Sequence, residues 1–296
     1  MPAKDMPAAE VDVDEPLVRA LLEEQHPDLA DLRIEVVANG WDNAVVRVGD
    51  DLVARLPRRE LAVPLVEHEQ RWLPELAPRL PLPIPAPVRI GGPSDRYPWP
   101  WSICPWFEGE TGLVAPFEDP RAAAEAHGRF FAALHRPAPA DAPRNPYRGI
   151  PLAERHQRTL ADLAALDTLD RDAVLACWEA SLALPAPTGP AVWLHGDPHP
   201  GNLLVHEGRL AAVIDFGDLC SGDRACDLSV AWMLYPDDVR PVLRAAAGDV
   251  DDATWARARG WALALGLAYG GHAADNPAYA ALSARTIAAV LADPDR

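Results

Sequence analysis

His195-Gly196-Asp197-Pro198-His199-Pro200-Gly201-Asn202, followed by Val213-Ile214-Asp215-Phe216-Gly217, decides how this chain is read. An Asp is followed five residues on by an Asn, and thirteen further on by a second Asp backed by Phe-Gly. Moving a phosphoryl group from a nucleotide needs those side chains. A carboxylate accepts the proton of the attacking hydroxyl, and an amide with a second carboxylate holds the Mg²⁺ ions that bridge the phosphates. The flanks agree with this placement. Ala191-Val192-Trp193-Leu194 is an apolar run that stops where the polar loop begins. Leu203-Leu204-Val205 and Leu210-Ala211-Ala212-Val213-Ile214 are separated by His206-Glu207-Gly208-Arg209, which predicts a hairpin with Gly at its turn. Asn202 then opens the first strand and Asp215 closes the second, so antiparallel pairing brings both to one end. Their oxygen donors suit a hard cation such as Mg²⁺.

The spacing is that of the protein-kinase pattern H-R-D-x-x-x-x-N followed by D-F-G, with Gly196 in place of the Arg. It points to a kinase-type phosphotransferase. Two other readings compete. His195, Asp197 and His199 form an H-x-D-x-H cluster that could bind Zn²⁺ or Mn²⁺ in a metallohydrolase, but this leaves Asn202 and Asp-Phe-Gly unexplained. A polar loop with incidental Asp and His would account for a single H-x-D, not for the joint spacing. His195 is read as a buttress of the loop and His199 as a loop residue.

The chain has 296 residues, enough for two lobes, and 49% of them are hydrophobic. No apolar run reaches the roughly 18 residues that a transmembrane helix needs. The acidic start, Met1 to Glu15, has none of the marks of a signal peptide. Cys104, Cys177, Cys220 and Cys226 show no C-x-x-C spacing, which suits free thiols in a reducing cytoplasm. The net charge of −17, from 44 acidic against 27 basic residues, disfavours nucleic acid and favours cationic partners. A solvated acidic face would serve solubility equally. Lys4 is the only lysine.

Residues 1–15 are expected to form a mobile tail. Leu17, Val18, Leu21 and Leu22 carry a helical spacing. Residues 32–37, 44–48 and 52–56 predict three antiparallel strands of a nucleotide-binding lobe, and a Gly-containing first turn there can turn backbone amides towards phosphates. A helix is expected over Pro64 to Leu73, carrying Glu67 and Glu69, with Pro74 kinking or ending it. Pro81 to Pro87 is extended. Strands follow at 88–90 and 101–104, the latter running into Pro105-Trp106-Phe107-Glu108-Gly109. Helices are expected at 122–134, 152–169 and 172–184, and again from Asp227 onward. The fold class is therefore α+β, with an N-terminal nucleotide-binding lobe over 1–104. A helical C-terminal lobe over 105–296 carries the catalytic loop and the acceptor site.

Over residues 30–290 the chain resembles the aminoglycoside phosphotransferase family of small-molecule kinases. The resemblance rests on His195–Asn202, Asp215–Asp218, the Leu-Pro-Leu-Pro-Ile-Pro run of 80–85, Leu134-His135, Gly222-Asp223 and Asp227-Leu228. It implies a protein-kinase-like two-lobe fold, with a five-stranded antiparallel N-lobe, a mainly helical C-lobe and nucleotide, ATP or GTP, bound between them. On that match Asp197 is the catalytic base, and Asn202 and Asp215 bind Mg²⁺. Arg55 falls where the family carries a strand lysine that grips phosphate and pairs with a helix glutamate. The matching glutamate is Glu69, with Glu67 next. Arg is a permanently charged planar fork that can clamp phosphate bidentately but is not equivalent to Lys. Arg58 or Arg59 could contribute, or Arg55 is a plain surface arginine. The match also puts the backbone of Pro105 and Phe107 against the base, Asp227 as a brace of the loop, and Asp218 at the substrate cleft.

Family substrates are often polycationic aminoglycosides held by carboxylates. Candidates are Asp218, Asp237, Asp238, Asp251 and Asp252, the last four of which fit a solvated surface equally well. Trp232, Trp255 and Trp261 are either an aromatic wall or core. The expectation is Mg²⁺-dependent transfer of the nucleotide γ-phosphate to a hydroxyl of a small cationic acceptor, an aminoglycoside, by a cytoplasmic resistance enzyme. Alternatives are a macrolide, choline or sugar kinase, and a non-catalytic nucleotide-binding protein. Partners are nucleotide and acceptor, without nucleic acid or membrane, in a monomer or dimer.

Overall fold

Alternation puts Val46 and Val48 on one face of a strand and Ala54 and Leu56 on one face of the next, and such a face needs a cover. In the computed structural model, which describes residues 8–271, 273 and 276–293, helix α1 (Glu15–Gln25) supplies it. Strands β1 (Ile34–Asn39), β2 (Asn43–Val48), β3 (Leu52–Pro57), β4 (Arg89–Gly91) and β5 (Trp101–Pro105) form one sheet, ordered β1-β2-β3-β5-β4 and antiparallel throughout. Val18, Leu21 and Leu22 of α1 pack with Val46, Val48, Ala54, Leu56, Tyr97, Trp101 and Ile103 in a fully buried cluster. Each large aliphatic side chain so buried contributes about 1.5–3 kcal/mol.

The other face of the sheet carries Arg55, in register with Val45 on β2 and Ser102 on β5. Helix α2 (Val63–Leu76) packs here: Gln70 Nε2 donates to Trp101 O at 3.0 Å and to Ser102 Oγ at 3.1 Å. The helix runs through Pro74 instead of stopping before it. A proline removes one backbone bond, and buried Trp72, Leu73 and Leu76 hold the last turn in place. Of the expected tail, residues 1–7, Lys4 among them, lie outside the described residues. Glu10 and Val11, also part of it, are tethered: both donate backbone N–H groups to Arg58 O, at 2.8 and 3.4 Å. Val11 and Val13 pack against the core.

The chain forms two compact units, Met1–Pro78 with Pro83–Glu108, and Arg79–Leu82 with Gly109–Arg296. Pro105 to Glu108 go with the first unit, four residues beyond the expected boundary. The reason is that Pro105 pairs with Leu52 and Trp106 N–H bonds Asp51 O at 2.7 Å.

The second unit is mostly helical. It contains β6 (Glu110–Thr111), α3 (Pro120–Leu134), α4 (Leu152–Ala164), α5 (Arg171–Leu182), β7 (Val192–Leu194), β8 (Leu203–His206), β9 (Arg209–Val213) and β10 (Cys220–Gly222). Then follow α6 (Ala225–Leu228), α7 (Val230–Leu234), α8 (Arg240–Ala246), α9 (Asp252–Gly271) and α10 (Pro277–Leu291). The helix expected over 152–169 ends at Ala164, because the N–H groups of Ala165 and Leu166 turn back to Asp162 O and Leu163 O. Helix α9 is buried nearly all round from Arg257 to Leu267, as a central helix must be. β8 and β9 form the expected hairpin, turning through Glu207 and Gly208 at φ 48° and 70°. β7 pairs with β10. Among the described residues no helix is long and apolar enough to cross a membrane, and the four cysteines are free thiols.

Candidate active site

The polar loop leaves β7 through Gly196 and enters β8 after Asn202. Gly196 sits at φ 86°, and a Cβ there would lie 2.2 Å from Asp218 O. Positive φ and a backbone in the way admit only glycine, so the loop cannot carry the arginine of the protein-kinase pattern at this position. A guanidinium nevertheless reaches the next residue. Arg148, from the loop between α3 and α4, places Nη2 3.4 Å from Asp197 Oδ1 and 3.6 Å from Asp218 Oδ2.

Asp197 is held on both oxygens. Oδ1 also accepts from Tyr269 Oη on α9 at 3.0 Å. Oδ2 faces His199 Nε2 at 3.2 Å and Asn202 Nδ2 at 3.3 Å. Burial alone would raise the Asp197 pKa, but the hydrogen bond from His199 and the charge of Arg148 outweigh it and hold the carboxyl well below the usual range. Asp218 moves the other way. Its burial, with Asp197 and Asp215 close by, raises its pKa although Arg148 and an Asn145 Nδ2 donor at 2.6 Å oppose the shift. Two carboxyls sharing one guanidinium are thus driven apart, which keeps Asp197 available as a base.

The hairpin sets the second pair of residues. Ile214 N donates to Asn202 O at 2.8 Å, which closes the β8–β9 ladder and brings Asn202 and Asp215 to the same end. Asn202 spends Nδ2 on Asp197 O, at 2.9 Å, and on its carboxylate, so the amide oxygen is the atom it can offer a cation. Asp215 is exposed and sits at φ 61°, a conformation Asp tolerates. One amide oxygen and one carboxylate make a hard donor set that fits Mg²⁺. The Zn²⁺ reading fails at His195: its Nδ1 accepts the Asp197 N–H at 3.2 Å and its Nε2 donates to Ile214 O at 2.9 Å, so neither nitrogen can ligate. His195 buttresses the loop, as expected.

Asp227 lies inside the short α6, so the amides it serves are not those of its own helix. It is fully buried, and Oδ1 accepts the Gly196 N–H at 2.9 Å. Oδ2 accepts the His195 N–H at 2.8 Å and faces His135 Nε2 at 3.0 Å. Burial would raise its pKa, yet these donors keep it lowered and the group charged. The first turn of α6 is instead served by Asp223, which accepts from Ala225 N and pairs with Arg257 at 2.7 Å.

In the first unit, Arg55 Nη1 meets Glu69 Oε1 at 2.7 Å, with both side chains buried. Arg58 donates to Gly40 O at 2.9 Å and Arg59 pairs with Asp42 at 2.7 Å. Both therefore brace the first turn of the sheet. Pro105 ends β5 and Phe107 follows two residues later, both half-buried.

The sequence pattern of the phosphotransferase enzyme family, APH, matches residues 33–261. The chain belongs to that family. This APH phosphotransferase is similar in structure to wild-type aminoglycoside 2'-phosphotransferase-IIIa in its GDP complex, with a TM-score of 0.72 and 20% identity over 94% of this chain and 99% of that one. A GDP and kanamycin complex of APH(2'')-IIIa gives 0.69 and 20% over 92% and 97%. Macrolide 2'-phosphotransferase MphH from Brachybacterium faecium, as apoenzyme, gives 0.63 and 25% over 96% and 100%. No curated protein matches the sequence of the chain. The five-stranded first unit and the helical second unit are the kinase-like fold of these neighbours.

In this APH phosphotransferase the residues missed by sequence reasoning are Arg148, Asn145, Tyr269 and Tyr279, all brought to the loop from elsewhere in the second unit. Trp232 and Trp261 are core, 2% and 0% exposed, rather than wall. Asp251 caps the Thr254 N–H at 2.6 Å and Asp252 pairs with Arg244. Asp237 accepts the Asp238 N–H at 2.9 Å, and both lie on the surface.

Proposed function

We propose that this chain transfers the γ-phosphate of ATP or GTP, in the presence of Mg²⁺, to a hydroxyl of a small molecule, with aminoglycosides as the first acceptor class. The observation that carries the reading is the joint placement of Asp197, Asn202 and Asp215 on one loop and one hairpin end. Asp197 takes the proton of the acceptor hydroxyl while its oxygen attacks the γ-phosphorus. The bond to the β-phosphate oxygen breaks and the nucleoside diphosphate leaves. Asn202 and Asp215 are the residues to hold Mg²⁺, which when bound neutralises charge on the phosphates. Arg55, oriented by Glu69, grips phosphate oxygens as a fork, and the backbone of Pro105 and Phe107 meets the base. Asp218, braced by Asn145 and Arg148, lies where it can orient the acceptor. The similarity to a GDP and kanamycin complex supports both the donor and the acceptor class.

A macrolide is the second reading. Asp251 and Asp252 are already engaged in a cap and an ion pair, which shrinks the acidic set expected to greet a polycation. The experiment is Mg²⁺-dependent nucleotide consumption, with ATP and with GTP, over a panel of aminoglycosides and macrolides. Turnover stimulated by one class and abolished by EDTA is expected. A chain that binds nucleotide but turns over with no hydroxylated acceptor would contradict the reading.

A further inference from the structure

His199 faces the base from within the loop, and its surroundings are built around it. It is 4% exposed, with its ring between Tyr269 and Tyr279 at centroid distances of 5.4 and 5.3 Å. A Cβ on Gly201 would lie 2.5 Å from its Cε1, so residue 201 must be glycine for the ring to sit there. The Gly201 N–H donates to Nδ1 at 2.9 Å. An imidazole nitrogen that accepts cannot carry a proton, so the proton resides on Nε2. Nε2 faces Asp197 Oδ2 at 3.2 Å and Tyr279 Oη at 3.1 Å.

The two oxygens of Asp197 are therefore unequal. Oδ2 takes its donors from groups that are themselves pinned: His199 by Gly201, and Asn202 by the Ile214 N–H on its carbonyl. Oδ1 accepts from one hydroxyl, that of Tyr269, and has only a long contact, 3.4 Å, to Arg148, which has Asp218 as a second partner, so it keeps a lone pair for a further donor. We infer that His199 is the positioning residue of Asp197: a neutral ring locked with its proton on Nε2, which with Asn202 occupies Oδ2 and leaves Oδ1 to accept the proton of the substrate hydroxyl. This rests on the reading of Asp197 as the base. The proton passes from the acceptor hydroxyl to Oδ1 as the new oxygen–phosphorus bond forms, then to solvent. His199 neither gains nor loses one.

The two amide variants separate positioning from packing. His199→Gln places an N–H near the Nε2 position, whereas His199→Asn reproduces only the acceptor near Nδ1. His199→Asn is expected to lower kcat about 10²-fold, the size of a misplaced catalytic group, with nucleotide Kd and acceptor KM unchanged, and His199→Gln to restore most of it. Equal kcat in the two variants, or a better Asn variant, overturns the proposal. Long-range ¹H–¹⁵N NMR on the wild-type protein tests the ring without any assay of transfer, so it stands if the proposed function fails. A neutral His199 protonated on Nε2 is expected, and a ring protonated on Nδ1 or on both nitrogens contradicts it.

Discussion

Asp227 holds the backbone of Gly196: its buried Oδ1 accepts that N–H at 2.9 Å across 31 residues of sequence. With the His195 N–H and the His135 ring on Oδ2, one carboxylate organises the start of the loop that carries Asp197. Truncating it strands two buried backbone donors, at about 1–3 kcal/mol each. Asp227→Ala should lose about 3 kcal/mol or more of stability together with its activity. Urea unfolding checks this, and an unchanged midpoint at unchanged slope would refute the role.

Gly196→Ala tests the close approach of the loop to Asp218. The added methyl meets Asp218 O at a backbone φ of 86°. Such a misfit should cost more than about 1 kcal/mol and displace Asp197, with kcat falling while nucleotide Kd holds. A variant with wild-type kcat would show that the loop tolerates the side chain.

The Arg55–Glu69 pair carries a test in the first unit. Both side chains are buried and 2.7 Å apart. Arg55→Ala leaves Glu69 without its guanidinium and should destabilise the fold by about 3–5 kcal/mol. Arg55→Lys should keep the charge and fold while weakening nucleotide binding, since an ammonium lacks the bidentate fork. Calorimetric titration with ATP and GTP reads the difference. Equal affinity in Arg55→Lys would remove Arg55 from the phosphate grip.

Acid sensitivity is predicted for the second unit. Burial, with His195 and His135 nearby, pushes the His127 pKa down to about 3, and the ring meets Tyr235 Oη at 3.2 Å. Below about pH 6.5 the unfolded chain takes up a proton that folded His127 refuses. Stability is therefore full above that pH and is lost as pH falls towards 3, at up to about 1.4 kcal/mol per unit. His127→Phe should flatten this slope, leaving the shares of His26 and His68, whose pKa values burial also lowers, and at the acid end those of Asp197 and Asp227, whose carboxyls are held low in the fold. An unchanged slope between pH 6 and 4, read by denaturant midpoints, would contradict the assignment.

What the sequence made legible was local. Loop and hairpin span twenty-one residues, so spacing and alternation were enough to bring Asn202 and Asp215 to one end and to place the five strands. The partners of Asp197 lie further away. Arg148 is 49 residues upstream in an irregular Pro- and Asn-containing loop, and Tyr269 is 72 downstream near the end of a largely buried helix. Periodicity cannot point either side chain at a target. In the sequence His199 is a loop residue and no more, because its role depends on the Gly201 N–H, a backbone contact with no signature in residue type. Helix ends were misplaced where packing overrode local signals, as at Pro74.

The central claim is that Asp197 is the base for phosphoryl transfer, and Asp197→Asn is the most direct test. The amide keeps the size of the side chain and removes its proton affinity. Single-turnover transfer of labelled γ-phosphate to the acceptor found in the panel should slow by about 10²–10⁴-fold, with nucleotide Kd preserved. Transfer at the wild-type rate would contradict the account.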